Sequence, residues 1–272
     1  MEPDLSVTGS GGVRLAVRRF GSGDTSPGFL LVHGLASNAR TWDGVATRLG
    51  DLGHAAVAYD QRGHGRSDRP AGPYDLDAHL EDLAAVLAAT GLERPVVAGQ
   101  SWGGNLAVAF GARSPEAVSG VACVDGGTID LPARFDDWET CADVLAPPVL
   151  DVDIDDAAAM VRARHPDWAE WAVEATVANL EAADGRARNR LPRDAHLTIL
   201  RAMWDHPPDR DLDRLAAPAL FLMADDGDRA PTEERIASVS DARVVWIAGD
   251  HDLHLQQPDV VAAHLAGTAW ER

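Results

Sequence analysis

Short apolar runs of strand length alternate along this chain with longer stretches whose apolar residues recur every three or four positions. The runs predict strands over residues 13–20, 28–33, 54–60, 95–100, 119–124, 218–224 and 242–247. The helical spacing predicts helices over 41–49, 76–90, 102–112, 232–239 and 259–265. Strand followed by helix, repeated, builds a mostly parallel sheet covered on both faces, an α/β fold. Residues 130–213 break the pattern. They hold no clear strand, but they do hold Trp138, Trp168, Trp171 and Trp204, an acidic stretch over 151–156, and Pro-Pro pairs at 147–148 and 207–208. This interval predicts a helical insertion with loops. Residues 1–129 and 214–272 then form the core, and 130–213 a cap upon it. There is no internal repeat and no low-complexity tract.

Composition narrows the reading. A chain of 272 residues that is 46% hydrophobic and 25% charged can bury one sizeable core without disulfides or metals. Lys and Arg number 24 against 43 Asp and Glu, a formal charge of −19. Such a field repels phosphate backbones and anionic lipid headgroups, so neither nucleic acid nor a membrane is expected as a partner. The acidity is read as serving solubility. Two cysteines, Cys123 and Cys141, make no disulfide framework. Cys123 lies in an apolar run and is expected as a small buried hydrophobe. The acidic opening MEPDLSV lacks the apolar segment of a secretory signal, and no apolar stretch is long enough to cross a bilayer. A cytoplasmic location is the expectation. The oligomeric state stays open.

Three motifs carry candidate chemistry. Gly99-Gln100-Ser101-Trp102-Gly103 reads G-x-S-x-G between a predicted strand and a predicted helix. A serine there sits on a tight turn with its hydroxyl lifted above the sheet edge, and the flanking glycines let backbone segments approach where a Cβ would not fit. His33-Gly34-Leu35 follows a predicted strand directly. A sharp turn there can aim a backbone N–H into the site, and an oxyanion hole needs two such donors. The natural pair is the N–H of Leu35 and that of Trp102. His33 itself is expected to hydrogen-bond locally. Asp250-His251-Asp252-Leu253-His254 lies between the last predicted strand and the last helix. Serine is a poor nucleophile without a base to take its proton. His251 opens this loop and is chosen as that base, while His254 is read as a surface histidine.

Asp60-Gln61-Arg62-Gly63-His64-Gly65-Arg66-Ser67-Asp68 resembles the D-x-R-G-x-G-x-S turn of α/β hydrolases. Together with the HG pair, GQSWGG and GDHDLHLQQP, the resemblance runs from about residue 13 to 267 and is specific for the superfamily, though not for a substrate. It implies an eight-stranded, mostly parallel sheet flanked by helices, with a helical cap. Arg62, Gly63 and Ser67 are then structural turn residues. In much of the family the triad acid follows the seventh strand. Aligned here without gaps, that position falls on Gly227, flanked by Asp226 and Asp228. Some relatives supply the acid after the sixth strand instead, where this chain has Asp125 in Val124-Asp125-Gly126-Gly127. Asp125 is taken as the acid, with Asp226 or Asp228 as the alternative.

A serine at the elbow, not an aspartate, implies acyl-enzyme chemistry on a small-molecule substrate. The reading is a carboxylesterase-like serine hydrolase cleaving a small or medium apolar ester or lactone. A thioester, amide or C–C bond cleaved by the same triad is the nearest alternative, and a non-hydrolytic small-molecule binder of this fold is the other. No cofactor or metal is expected, since the ten histidines lack ligand spacing and HPDW at 165–168 is no metal signature. The cap tryptophans are expected to pack helices onto the core. For Trp102, packing and pocket lining stand level.

Overall fold

The computed structural model describes residues 4–225, 227 and 229–270. Eight strands form one sheet: β1 (Leu5–Thr8), β2 (Arg14–Phe20), β3 (Thr25–Val32), β4 (His54–Tyr59), β5 (Val96–Gln100), β6 (Gly120–Val124), β9 (Ala219–Ala224) and β10 (Ala242–Ile247). They lie in the order β1-β2-β4-β3-β5-β6-β9-β10. The β1–β2 and β2–β4 pairs are antiparallel, and every other neighbouring pair is parallel. The seven strands that apolar runs predict are all present. Four-residue β1, on the antiparallel edge, is the addition.

Alternation along each strand sends side chains to both faces. Leu30, Val32, Val57, Tyr59, Val97 and Val121 join one buried cluster. Phe29, Leu31, Ala56, Ala58, Val96 and Ala98 join the other. The first is covered by α2 (Leu76–Thr90) and α3 (Trp102–Arg113), the second by α1 (Asp43–Asp51) and α11 (Pro258–Gly267). A sheet covered on both faces explains why its strands read as unbroken apolar runs. Each fully buried Leu or Phe contributes on the order of 2 kcal/mol. Helix α2 starts where Asp75 accepts the Ala78 N–H at 2.9 Å and stops at left-handed Gly91 (φ 72°).

Between β6 and β9 the chain forms α4 (Trp138–Val144), α5 (Ala157–Arg164), α6 (Glu170–Val177), α7 (Arg193–Asp205) and α8 (Asp209–Leu212). It also forms a two-stranded hairpin, β7 (Leu180–Ala183) with β8 (Arg186–Asn189), where the pattern predicts no strand. The turn is Asp184-Gly185, with φ of 52° and 77°. Asp-Gly is the preferred pair for a two-residue hairpin turn. Its flanks, LEAA and RARN, lack β-branched residues and alternation, so no strand signal accompanies it. The segment meets the core at the loop after β3, where Asn38 Nδ2 donates to the Ala175 carbonyl at 2.8 Å, and at the start of α1, where Trp171 packs against Gly44. The remaining helices, α9 (Ala230–Ile236) and α10 (Leu253–Gln256), flank β10 in the chain. Among the described residues, no helix is long and apolar enough to cross a membrane.

Candidate active site

The C-terminal ends of β3, β5, β6, β9 and β10 lie along one edge of the sheet, where open α/β sheets bind ligands. Gln100 stands opposite Val124 in the β5–β6 register, so Ser101 and Asp125 leave the sheet side by side. Ser101 has φ 53° and ψ −121°, a backbone state few side chains adopt, and it costs about 1–3 kcal/mol. Packing imposes it. A methyl group on Gly99 would fall 1.9 Å from the Gly103 carbonyl oxygen, and one on Gly103 would fall 2.2 Å from that of Val32. The strand and helix can close this tightly only with glycine at both positions. Gly126 is held the same way, since a methyl there would meet the Ser101 carbonyl at 2.4 Å.

Asp125 also takes a left-handed backbone, φ 44°, and its N–H donates to Leu222 O at 2.8 Å. This turns the carboxylate across the strand ends. Oδ1 accepts the Ala224 N–H at 2.9 Å, and Oδ2 lies 2.6 Å from His251 Nδ1. His251 sits in the loop between β10 and α10, its side chain half exposed, and its carbonyl accepts the Gln100 side-chain amide at 3.0 Å. Burial pulls the His251 pKa down, but the hydrogen bond and charge of Asp125 outweigh it and raise the pKa above the ordinary value. With Nδ1–H held by the carboxylate, the neutral ring leaves Nε2 free as a base.

Among the described residues, neither the Leu35 nor the Trp102 backbone N–H has an acceptor. Trp102 is the first residue of α3, where an orphan N–H and the positive end of the helix dipole coincide. Ser101, Asp125 and His251 thus gather at the end of the sheet that carries both free amides. Asp226 and Asp228 lie outside the described residues. A cavity of about 180 Å³ adjoins Asp125 and His251, lined also by Thr128, Arg134, Met223 and Trp246 among others.

His254 is not on the surface. It is buried 4.9 Å from the Trp42 ring, and burial drives its pKa down to about 3. Helix α10 turns it inward, which the polar string DHDLH does not reveal. Trp102 is buried edge-on to His79, so packing decides its case. Trp138 and Trp204 meet edge to face at 6.0 Å, and Trp168 stacks on His165 at 3.8 Å. Arg62 is fully buried with both Asp82 carboxylate oxygens 2.7 Å from its guanidinium, and Cys123 is buried, as expected of each. Sequence reasoning missed Gln100. Its signal was a polar residue ending an otherwise apolar strand. Arg134 carried no comparable signal.

Comparison with known proteins adds a lineage to this geometry. Residues 27–183 match the family model described as alpha/beta hydrolase fold. The 2-(acetamidomethylene)succinate hydrolase of Mesorhizobium japonicum is 33% identical over 115 residues, 42% of this chain and 40% of that protein. The monoacylglycerol lipase of Mycolicibacterium smegmatis is 37% identical over 117 residues, 40% of this chain and 41% of that protein. The chain therefore spans well under half the length of the curated relatives it matches. The crystal structure of E-2-(acetamidomethylene)succinate hydrolase superposes with a TM-score of 0.81 at 24% identity, covering 97% of each chain.

Proposed function

The chain belongs to the α/β-hydrolase fold family, and from that premise we propose that it is a serine hydrolase cleaving a carboxylic ester or lactone of a small to medium apolar substrate. The observation that carries this reading is the 2.6 Å contact between Asp125 and His251 beside a serine held at φ 53°. In the proposed reaction, Ser101 Oγ attacks the substrate carbonyl carbon while His251 Nε2 takes its proton. The N–H groups of Leu35 and Trp102 hold the resulting oxyanion. The tetrahedral adduct collapses, the C–O bond to the leaving group breaks, and His251 returns the proton to the departing alkoxide. Water, deprotonated by His251, then attacks the acyl-enzyme carbonyl carbon; the acyl C–Oγ bond breaks, His251 returns the proton to Ser101 Oγ, and the acid is released. Asp125 keeps the imidazole in the productive tautomer throughout.

Cleavage of an amide is the second reading, favoured by the relative named for hydrolysis of an acetamido compound. The same proton transfers serve it, with an amine as leaving group.

The test is turnover of p-nitrophenyl esters from acetate to octanoate, with fluorophosphonate labelling alongside. Wild type is expected to hydrolyse the esters and to label at Ser101, and Ser101→Ala to do neither. Labelling without turnover of any ester moves the amide reading ahead. No labelling at all defeats the serine-hydrolase reading.

A further inference from the structure

The turn over residues 60–68, which the proposed chemistry leaves unused, lies against the loop that carries Leu35 and holds it at four points. Asp60 Oδ1 accepts the Ala39 N–H at 2.7 Å. The Gln61 N–H donates to His33 Nε2 at 3.0 Å, and Gln61 Nε2 donates to the His33 carbonyl at 2.5 Å. His64 Nε2 accepts the Ala36 N–H at 3.2 Å. The turn is itself fixed: Arg62 binds Asp82, and Ser67 Oγ donates to Asp60 O while accepting the Ala16 N–H.

Leu35 stands between two peptides held by imidazoles. His33 Nε2 is an acceptor, so its proton is on Nδ1 and donates to Gly34 O at 2.7 Å. Gly34 C=O and Leu35 N–H belong to one planar trans peptide and point in opposite directions. Holding that carbonyl to His33 turns the Leu35 N–H away from the ring. This peptide runs beside the nucleophile, since a methyl on Gly34 would lie 3.1 Å from Ser101 Cβ. On the far side, His64 Nδ1 donates to Arg62 O at 2.9 Å, which leaves Nε2 bare for the Ala36 N–H. Ala36 has φ 58°, a left-handed state that an alanine keeps only under constraint. The two rings meet edge to face at 4.9 Å. Both are buried, and burial lowers His33 to about 4 and His64 to about 3, so both stay neutral near pH 7.

We propose that His64 is a positioning residue for the oxyanion hole: by accepting the Ala36 N–H it fixes the backbone that aims the Leu35 N–H at the developing oxyanion. This inference rests on the oxyanion role given to Leu35 above.

His64→Phe keeps a ring and removes the acceptor, while His64→Gln puts a side-chain carbonyl within reach of the Ala36 N–H. In folded His64→Phe, kcat on the best p-nitrophenyl ester is expected to fall roughly ten- to hundredfold with KM nearly unchanged, less than deleting an oxyanion donor outright. Affinity for an aliphatic trifluoromethyl ketone, whose adduct with Ser101 needs the same donors, is expected to fall by a similar factor. His64→Gln is expected to recover much of both. A merely structural role would lower the melting temperature and leave the ketone affinity of the folded fraction alone. A kcat and ketone affinity within about twofold of wild type in His64→Phe overturn the proposal, as does a rise in KM that accounts for the whole loss. Amide hydrogen exchange in wild type gives a reading free of activity and of the variants' folding. The Ala36 amide is expected to exchange only on global unfolding, and exchange at exposed-loop rates overturns the clamp. If wild type neither turns over nor labels, the hydrolase reading fails by itself and exchange still judges the clamp.

Discussion

At the scale of single residues, the decisive pair is Asp125 and His251. The carboxylate is committed on both oxygens, one to the Ala224 N–H and the other to the imidazole. In Asp125→Asn the Ala224 N–H can still be satisfied by the amide oxygen, which leaves the amide NH₂ facing Nδ1. The ring then takes the opposite tautomer and carries its proton on Nε2, where the base must be empty. A kcat loss on the order of 10³–10⁴ is expected, with little change in KM or folding. With His251 as the proposed base, its raised pKa is expected to place the acid limb of kcat/KM above pH 6.5, because the reaction needs the neutral ring and is lost as pH falls through the folded-state value. Asp125→Asn is expected to move that limb downward as it lowers the rate. Steady-state kinetics over pH 5–9 measure both. A variant within tenfold of wild type shifts the acid to Asp226 or Asp228.

At the scale of elements, the site depends on how closely α3 follows β5. Gly103→Ala places a methyl against the Val32 carbonyl, where neither partner is a flexible side-chain end. The helix must back away, at a cost of about 1–3 kcal/mol. Urea denaturation is expected to show that loss, and the folded fraction to label more slowly with fluorophosphonate. Unchanged stability would mean the turn relaxes more easily than its contacts suggest. This is also the scale at which the sequence was most informative. GFLLVH, HAAVAYD and PALFLMA announce strands because both of their faces are buried, and the glycines of the elbow announce a close approach that the backbone does make. The hairpin at Asp184-Gly185 announced itself only in its turn, because a two-stranded surface ribbon needs no apolar alternation. Order along the chain left Asp125, taken as the acid, in competition with Asp226 and Asp228. Carboxylates follow both β6 and β9, and what turns Asp125 toward the histidine is a backbone angle and the N–H of a residue 99 positions away. The burial of His254 was hidden for a similar reason, since its partner Trp42 is remote in sequence.

At the scale of the whole molecule, burial lowers six of the described imidazoles: His33 to about 4, His64 and His254 to about 3, His79 well below its ordinary value, and His196 and His264 also below it. In the unfolded chain each takes up a proton near pH 6.5. Between that pH and the folded-state values the unfolded state binds more protons, so their contribution is complete above pH 6.5 and is lost as pH falls. Among the described histidines His251, raised, acts in the opposite sense but is one against six. Within this window each of the first four costs up to about 1.4 kcal/mol per pH unit. Denaturant midpoints at pH 7.5, 6.0 and 5.0, in enough salt to screen the net charge of −19, are expected to fall steadily. A flat profile would mean that the buried rings find compensation on protonation.

The separation of the proposed acid and base has a consequence for biosynthesis. Asp125 and His251 lie 126 positions apart, and β9, which supplies the Ala224 N–H, enters the sheet between β6 and β10. At the ribosome, Ser101 and Asp125 emerge while their base is still unmade, and β6 waits for a neighbour more than ninety residues downstream. On the proposed reaction, the growing chain carries an unactivated serine through most of its synthesis, and any power to attack acyl groups arrives only when the last parallel strands dock.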